Sequence, residues 1–208
     1  MIRISLILAF GLISNVMLGQ NQRASDQKMG PTLRLETGIY YPLGDFEKYI
    51  DPSPAFNIIA GIPLSDAWRL DPGLQLFIPQ SRKPLTVNGD DGPKSGRINS
   101  LSGHLGASIN RILNLSPKIL MEPRMGIGFS FLQTDAEKEN VPKESNDKFY
   151  GSETIYLQGG LGIKFFAFRY SYIGLEFNYY FTPYNLFGKR FISSIGNQAI
   201  SLGISYGL

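Results

Sequence analysis

The sequence predicts an all-β fold, an antiparallel up-and-down barrel of eight strands that crosses a membrane. Three observations support this prediction. Large apolar residues alternate with small or polar ones in eight segments, the connections between segments alternate between short and long, and glycine concentrates on one face of the segments. Alternation with a period of two is typical of strands, because successive side chains of a strand point to opposite faces.

The bulk composition agrees with an all-β chain and excludes some functions. The 208 residues are enough for one domain, and 23 glycines with 12% aromatic residues favour strands over helices. A net charge of +3 is too small to indicate a nucleic-acid partner. The absence of cysteine excludes disulfides and thiolate metal sites.

The N-terminus is predicted to be a signal peptide. Arg3 gives a positive start, the apolar run 5–13 follows, and small and polar residues lead to Gly19. We predict cleavage after Gly19, so that residues 1–19 are the signal peptide, 20–31 a flexible leader and 32–208 the barrel. The alternative is a membrane-anchoring helix, but the run is too short to cross about 30 Å of hydrocarbon.

Each of the eight predicted strands has one apolar face. In chain order the apolar sets are Leu33, Leu35, Ile39 and Tyr41; Phe56, Ile58, Ala60 and Ile62; Trp68, Leu70, Leu74, Leu76 and Ile78; Leu101, Leu105, Ala107 and Ile109; Ile119, Met121, Met125, Ile127, Phe129 and Phe131; Ile155, Leu157, Leu161, Ile163 and Phe165; Ile173, Leu175, Phe177, Tyr179 and Phe181; and Ile200, Leu202, Ile204, Tyr206 and Leu208. Pro72 and Pro123 lack a ladder donor, so we expect a bulge or a late strand start at each.

The connections alternate in length. Those after the second, fourth and sixth strands are short (63–67, 113–117 and 167–171), whereas the others are long and polar, as in QSRKPLTVNGDDGPKSGR and QTDAEKENVPKESNDK. Short turns at one end and long loops at the other are typical of an outer-membrane barrel, with the turns in the periplasm and the loops outside the cell. We expect the first loop, LGDFEKYIDPSP, to form a short helical turn over the barrel mouth.

The apolar faces are predicted to lie on the outside, against lipid. The interior of an eight-stranded barrel is just wide enough for side chains to fill, and the apolar sets would overfill it. Glycine also shares the polar face, at Gly38, Gly61, Gly73, Gly106, Gly126, Gly128, Gly160, Gly162, Gly174, Gly203 and Gly207. A crowded lumen favours glycine, whereas a solvated strand face does not, because glycine weakens strands. The alternative is a soluble β domain with the two faces exchanged.

The chain from about Pro31 to Leu208 resembles the small eight-stranded outer-membrane barrels of the outer membrane protein A- and X-like group, particularly the barrel-domain proteins of Bacteroidota. The residues that carry the resemblance are the signal peptide, GIYYPLGDF and the C-terminal NQAISLGISYGL. The resemblance implies a bacterial outer-membrane location. It also implies that Tyr206 and Leu208 belong to the signal read by the barrel-assembly machinery, although Leu replaces the commoner terminal Phe. It does not fix a function, because such barrels include structural, adhesive and enzymatic members.

Charged residues on the inward face are balanced in sign. The set consists of Arg34, Arg69, Arg124 and Lys164 against Glu36, Asp71, Glu122 and Glu176. Strand direction places all of them in the periplasmic half except Glu176, which is expected near mid-height. An unpaired buried charge is costly, so we predict an ion-pair cluster that plugs the lumen. The alternative is a narrow or gated channel that opens when the pairs exchange.

Ser102 and His104 are the candidate catalytic pair. They lie two residues apart on one strand face, and small barrels that modify lipid A combine histidine with serine or acid partners. Both are predicted to point into the lumen, where an acyl chain has no easy access. We therefore expect a lumen polar site in which His104 hydrogen-bonds to Tyr, Ser or Glu. A lipid A acyl hydrolase or transferase is only the third interpretation.

The long loops are the candidate partner surface. Phe46 and Tyr49 in the first loop and Phe187, Lys189, Arg190 and Phe191 in the last are the residues expected to contact lipopolysaccharide or an envelope protein. The loop acids match no calcium-binding spacing, so we expect neither metal nor cofactor. The sequence therefore predicts a monomeric, non-enzymatic structural or interaction barrel with a plugged lumen.

Overall fold

A computed structural model describes residues 30–89, 92–138, 149–166, 171–184 and 196–207. The predicted signal peptide, most of the leader and Leu208 lie outside these ranges. Among the described residues, no helix is long and apolar enough to cross a membrane.

Eight strands form the barrel. They are β1 (Thr32–Leu43), β2 (Ser53–Pro63), β3 (Trp68–Phe77), β4 (Ser102–Arg111), β5 (Ile119–Glu137), β6 (Phe149–Phe166), β7 (Tyr172–Phe181) and β8 (Gln198–Gly207). Each strand pairs antiparallel with the next in the chain, and β8 pairs with β1 from Arg34 opposite Gly207 to Leu43 opposite Gln198. The sheet is closed, so the predicted up-and-down barrel is confirmed. Closure removes the open edges that would expose unpaired backbone groups.

The outer surface of the barrel is apolar. Met125, Ile127 and Phe129 on β5 are 78%, 58% and 66% exposed, and apolar residues of the other strands are similarly exposed. The buried interior holds mostly polar and charged side chains. A water-soluble barrel would bury the apolar set, so this inversion identifies a membrane-facing exterior.

The prolines produce neither the expected bulge nor a late strand start, since β3 begins at Trp68 and β5 at Ile119. The pairing of β2 with β3 is interrupted opposite Pro72. It stops after Ile59, which lies opposite Gly73, and resumes in the same register at Ile62, which lies opposite Leu70. At Pro123 the β5–β6 register is also unbroken. The strand on the other side of Pro123 is interrupted at Ile112, whose amide donates to Ala67. A local loss of pairing is therefore enough to accommodate the missing donor.

Several expected connections contain strands. The segment 80–97 forms a hairpin of Leu85–Gly89 and Gly92–Gly96 instead of an irregular loop. The predicted turn 113–117 is mostly a further strand, Leu113–Ser116, paired with the start of β5. The long loop from Gln133 begins as strand, because β5 and β6 extend beyond the neighbouring strands. Ladder hydrogen bonds outside the barrel explain the difference, since polar residues can form exposed strands.

A cap closes the long-loop end of the barrel. The 3₁₀ helix Gly44–Lys48 confirms the expected helical turn, and Ile50–Asp51 pairs with Gln80–Ser81 beside it. Phe46 and Ile50 are fully buried. They join a continuous hydrophobic cluster with Leu85, Val87, Ile98, Leu132, Ala136, Tyr150 and Tyr184. The cap therefore has its own apolar core above the polar lumen.

Candidate functional site

The structure brings the eight charged residues of the inward face together at the short-turn end of the lumen. None is more than 4% exposed. β1, β3, β5, β6 and β7 supply them, and each lies on the inward face because residues of one parity share a face. Four cations and four carboxylates therefore form one buried cluster, here called the ion-pair cluster.

Glu122 is the centre of one half of the ion-pair cluster. Its Oε2 lies 2.5 Å from Lys164 Nζ, 2.7 Å from Arg69 Nη2 and 3.7 Å from Arg34 Nη1. Arg69 also engages Asp71 through two parallel contacts, Nε to Oδ1 at 2.6 Å and Nη2 to Oδ2 at 3.1 Å. Such bidentate pairs are among the strongest charge-assisted hydrogen bonds.

The other half is built around Glu36 and Glu176. Arg34 Nε lies 2.8 Å from Glu36 Oε1, Arg124 Nη1 lies 3.6 Å from the same oxygen, and Arg124 Nη2 donates to Glu176. Arg34 Nη2 reaches Asp71 at 3.0 Å and so joins the two halves. The charges are balanced, which offsets part of the cost of removing them from water.

Neutral side chains complete this half. Asn57 Nδ2 donates to Glu36 Oε2 at 2.7 Å, and Ser205 Oγ donates to Glu176 Oε1 at 2.6 Å. The sequence argument did not assign either residue a role. Their inward parity was the available signal, but it does not distinguish a hydrogen-bond partner from a simple spacer.

Tyr172 closes the cluster at the short-turn end. Lys164 Nζ lies 4.4 Å from the centre of the Tyr172 ring, within range of a cation–π contact. The ring lies where a side chain at Gly207 would be, so glycine is needed there for close approach. Tyr172 was not singled out from the sequence, because a tyrosine at a strand start resembles any interfacial aromatic residue.

An aromatic layer surrounds His104 in the middle of the lumen. The Tyr180 ring stacks on the imidazole at 4.7 Å between centroids, and the rings of Tyr156, Tyr40 and Phe77 lie at 5.1, 5.5 and 5.5 Å. Neither nitrogen of His104 has a hydrogen-bond partner among the described residues, so the expected bond to Tyr, Ser or Glu is wrong. Packing against rings, rather than a side-chain hydrogen bond, places the imidazole.

Ser102 is not paired with His104. Its hydroxyl donates to the carbonyl of Ser100 at 3.1 Å, and both Ser102 and His104 are buried within the barrel. A serine nucleophile requires its base within hydrogen-bond reach. The two residues therefore share a strand face without forming the contact that the enzyme interpretation requires.

A row of glycines makes room for the aromatic layer. Gly73, Gly106 and Gly128 lie opposite one another on β3, β4 and β5, and Tyr156 follows on β6. A methyl group at Gly128 would lie 2.7 Å from Tyr156 Cε1, and one at Gly106 would lie 2.7 Å from Gly128 Cα. The inward bias of glycine thus reflects space needed by neighbouring rings and backbone.

Solved structures show the same architecture. Neisserial surface protein A has a TM-score of 0.62 to this chain at 9% identity, over 86% of this chain and 96% of that one. The fold is that of the small eight-stranded outer-membrane β-barrels. Ail of Yersinia pestis (TM-score 0.44, 10% identity, 86% and 96% covered) and a de novo designed transmembrane β-barrel (0.40, 14%, 88% and 100%) are also similar.

The sequence comparisons add no family. No protein-family model matches the chain, and no curated protein is significantly similar to it. At 9% identity the likeness to Neisserial surface protein A concerns the fold alone. The closer resemblance to Bacteroidota barrels stays a prediction, and function must be argued from the chain's own lumen and cap.

The expected loop contacts are only partly described. Phe46 is 0% exposed in the cap, 5.8 Å from the Tyr184 ring centre, which removes it from the partner surface. Tyr49 is half-buried against the same cluster. Phe187, Lys189, Arg190 and Phe191 lie outside the described residues, as does Leu208. Tyr206 is 47% exposed on the outer face.

Charged side chains form ion pairs at the surface of the cap. Arg82 donates to the Asp51 carboxylate, and this hydrogen bond raises the pKa of the Arg82 guanidinium above its ordinary value. Arg82 Nη1 also lies 3.9 Å from Glu47 Oε1. Because these side chains are about half exposed, the pairs position the cap more than they stabilise it.

Proposed function

We propose that this protein is a structural or interaction barrel of the bacterial outer membrane, with a closed lumen. The observation that carries the proposal is the ion-pair cluster, which fills the short-turn half of the barrel with balanced, buried charges. Moving an ion through it requires breaking several desolvated contacts at once. The arrangement favours a plug over a pore.

Two further layers support closure. The aromatic layer around His104 packs above the ion-pair cluster, and the hydrophobic core of the cap packs above the aromatic layer. Phe46 in the cap and Tyr40 in the aromatic layer belong to one continuous cluster of buried residues. A hydrophobic constriction excludes ions by dewetting, so the cap is a barrier of a different kind from the ion-pair cluster.

The outer-membrane location is proposed from the barrel's exterior and from its N-terminus. The exposed apolar belt requires lipid, and closed barrels satisfy their backbone groups without water. The predicted signal peptide provides export, and the C-terminal strand provides the signal for the barrel-assembly machinery. We propose outer-membrane lipid and lipopolysaccharide as surroundings, and an envelope protein as the partner of the long loops.

The proposal includes no catalytic role for Ser102 and His104. The hydroxyl of Ser102 bonds to Ser100, and His104 packs among rings inside the barrel. Lipid A extracted from cells that express the wild type, Ser102→Ala or no protein should show the same acylation by mass spectrometry. An acylation change that depends on Ser102 would favour the enzyme interpretation.

Bilayer conductance tests the closed lumen. The purified full chain, shown to be folded by a gel shift between unboiled and boiled samples, is inserted into planar lipid bilayers. We expect no steady conductance, because ion-pair cluster, aromatic layer and cap all close the path. Large, steady currents from the folded protein would contradict the plug and support the channel interpretation.

A further inference from the structure

A small cavity lies in the lumen between the ion-pair cluster and the aromatic layer. Its volume is about 30 Å³. The lining includes Glu36, Asn57, Gln75, His104, Ser108 and Arg124. Charged, amide, hydroxyl and imidazole groups therefore meet at one space inside the barrel.

Polar atoms at this cavity lack partners among the described residues. They include Asn57 Oδ1, Gln75 Oε1 and both ring nitrogens of His104, which belong to side chains only 7%, 4% and 1% exposed. A neutral imidazole offers one donor and one acceptor, and an amide oxygen offers two lone pairs. Buried polar groups in folded proteins are almost always hydrogen-bonded, to protein or to ordered water.

We propose that the cavity is a hydration site that holds about two ordered water molecules bound to Asn57 and His104. A buried water needs roughly 10–15 Å³ of accessible space and two to four polar partners, so this cavity has room for about two. An organic ligand is too large. The surrounding charges, Arg34 and Arg124 against Glu36 and Asp71, are balanced and favour a neutral occupant over an ion.

The site connects two parts of the lumen that have no direct polar contact in the hydrogen bonds described. Asn57 already donates to Glu36 in the ion-pair cluster, and its free oxygen faces the same space as His104. Water in the cavity extends the hydrogen-bonded network from Glu36 through Asn57 to the imidazole. The lumen is then a joined protein–water core rather than a charged half and a separate aromatic half.

A crystal structure of the full chain at a resolution that shows ordered water is the first test. We expect about two density peaks within roughly 3.2 Å of Asn57 Oδ1 or a His104 nitrogen. An empty cavity, a bound ion or a continuous file of water through the barrel would each overturn the proposal. Anomalous scattering after exchange into bromide distinguishes an anion from water.

The second test counts long-lived internal waters by magnetic relaxation dispersion of water in solutions of the folded protein. His104→Phe keeps a ring in the aromatic layer and removes both nitrogens, so it should lose at least one bound water. Phe77→Leu is the control, because Phe77 lies in the aromatic layer 5.5 Å from His104, has no polar side-chain atom and does not line the cavity. It should keep the wild-type number.

The gel shift on boiling verifies that each variant is folded before it is measured. An unchanged water count in folded His104→Phe would contradict the proposed role of His104. An equal loss in Phe77→Leu would show that the counted waters lie elsewhere. If His104→Phe does not fold, the wild-type crystal structure alone decides whether the cavity is hydrated.

Discussion

At the residue scale, the stability of the lumen depends on a few buried charged side chains that several neighbours share. Glu122 is fully buried, and one of its oxygens serves Lys164, Arg69 and Arg34. Removing this carboxylate charge leaves three buried cations, which water does not solvate, with one negative charge fewer to neutralise them. Such a change lowers the free energy of unfolding by more than the ion pair contributes to it, because a buried cation without its counter-charge is strongly unfavourable.

Glu122→Gln is expected to lower the free energy of unfolding by about 3–5 kcal/mol, because it neutralises the hub of the ion-pair cluster while keeping its shape. The midpoint of urea unfolding in detergent micelles, followed by the fluorescence of Trp68, measures the effect. Glu153→Gln, at an exposed position on β6, is the control and should leave the midpoint unchanged. Equal midpoints for both variants would mean that the cluster contributes little to stability.

Gly106→Ala and Gly159→Ala are expected to behave oppositely. At Gly106 a methyl group would press on Gly128 and the Tyr156 hydroxyl, whereas nothing lies within 4 Å of one at Gly159, on the outer face. We expect Gly106→Ala to destabilise by about 1–3 kcal/mol through overpacking. Gly159→Ala should be neutral or stabilise by up to about 1 kcal/mol. A similar response in urea unfolding at both positions would argue against a crowded lumen.

At the element scale, the cap behaves as a small unit docked on the barrel. Its 3₁₀ helix and the Ile50–Asp51 strand are too short to be stable alone, so burial of Phe46 and Ile50 must hold them in place. The strand Leu85–Gly89 and the extended ends of β5 and β6 supply the surface against which they pack, through Leu85, Val87, Leu132, Ala136 and Tyr150. Losing one apolar anchor should therefore release the cap without unfolding the barrel.

Phe46→Ala is expected to open the cap, because truncating a buried Phe costs about 3–5 kcal/mol. Trypsin should then cut faster after the exposed Arg82, by about 100-fold or more, while the barrel keeps its gel shift. Asp45→Asn, which weakens an exposed pair with Lys48 without removing a trypsin site, is the control and should not alter cleavage. Unchanged cleavage in Phe46→Ala would show that other contacts hold the cap.

At the scale of the whole molecule, the exposed apolar belt distinguishes a membrane barrel from a soluble one. Met125, Ile127 and Phe129 lie on one outer face of β5, and similar residues continue around the barrel. In water this surface would favour aggregation, whereas in a bilayer it sets the depth of insertion. A charge introduced on this face should therefore destabilise the barrel in a bilayer and reduce aggregation in water.

Ile127→Arg is expected to destabilise the folded barrel in bilayers by about 2–4 kcal/mol, because the charge lies at membrane depth. The folded fraction in lipid vesicles, read from the gel shift as urea is titrated, measures the change. Ile127→Leu is the matched control and should fold like the wild type. An Arg variant that folds as well as the Leu variant, or that becomes a soluble monomer, would contradict the membrane assignment.

The alternating pattern was enough to predict which residues face inward. Alternation is a local property of a strand, so Arg34, Asp71 and Glu122 could be assigned to one face before their partners were known. It also determined the strand number, because the turns and loops are marked by composition. It did not reveal the hairpin 85–96 or the extension of β5, whose polar sequences resemble loops and depend on contacts made outside the barrel.

Which of the inward residues contact one another could be learned only from the folded barrel. Arg34 reaches Asp71 and Glu122 only because closure brings β1, β3 and β5 around one lumen, and register sets their heights. The same closure placed His104 among rings rather than beside Ser102, and buried Phe46 in the cap. Parity is encoded residue by residue, whereas contacts across the lumen depend on every strand that completes the barrel.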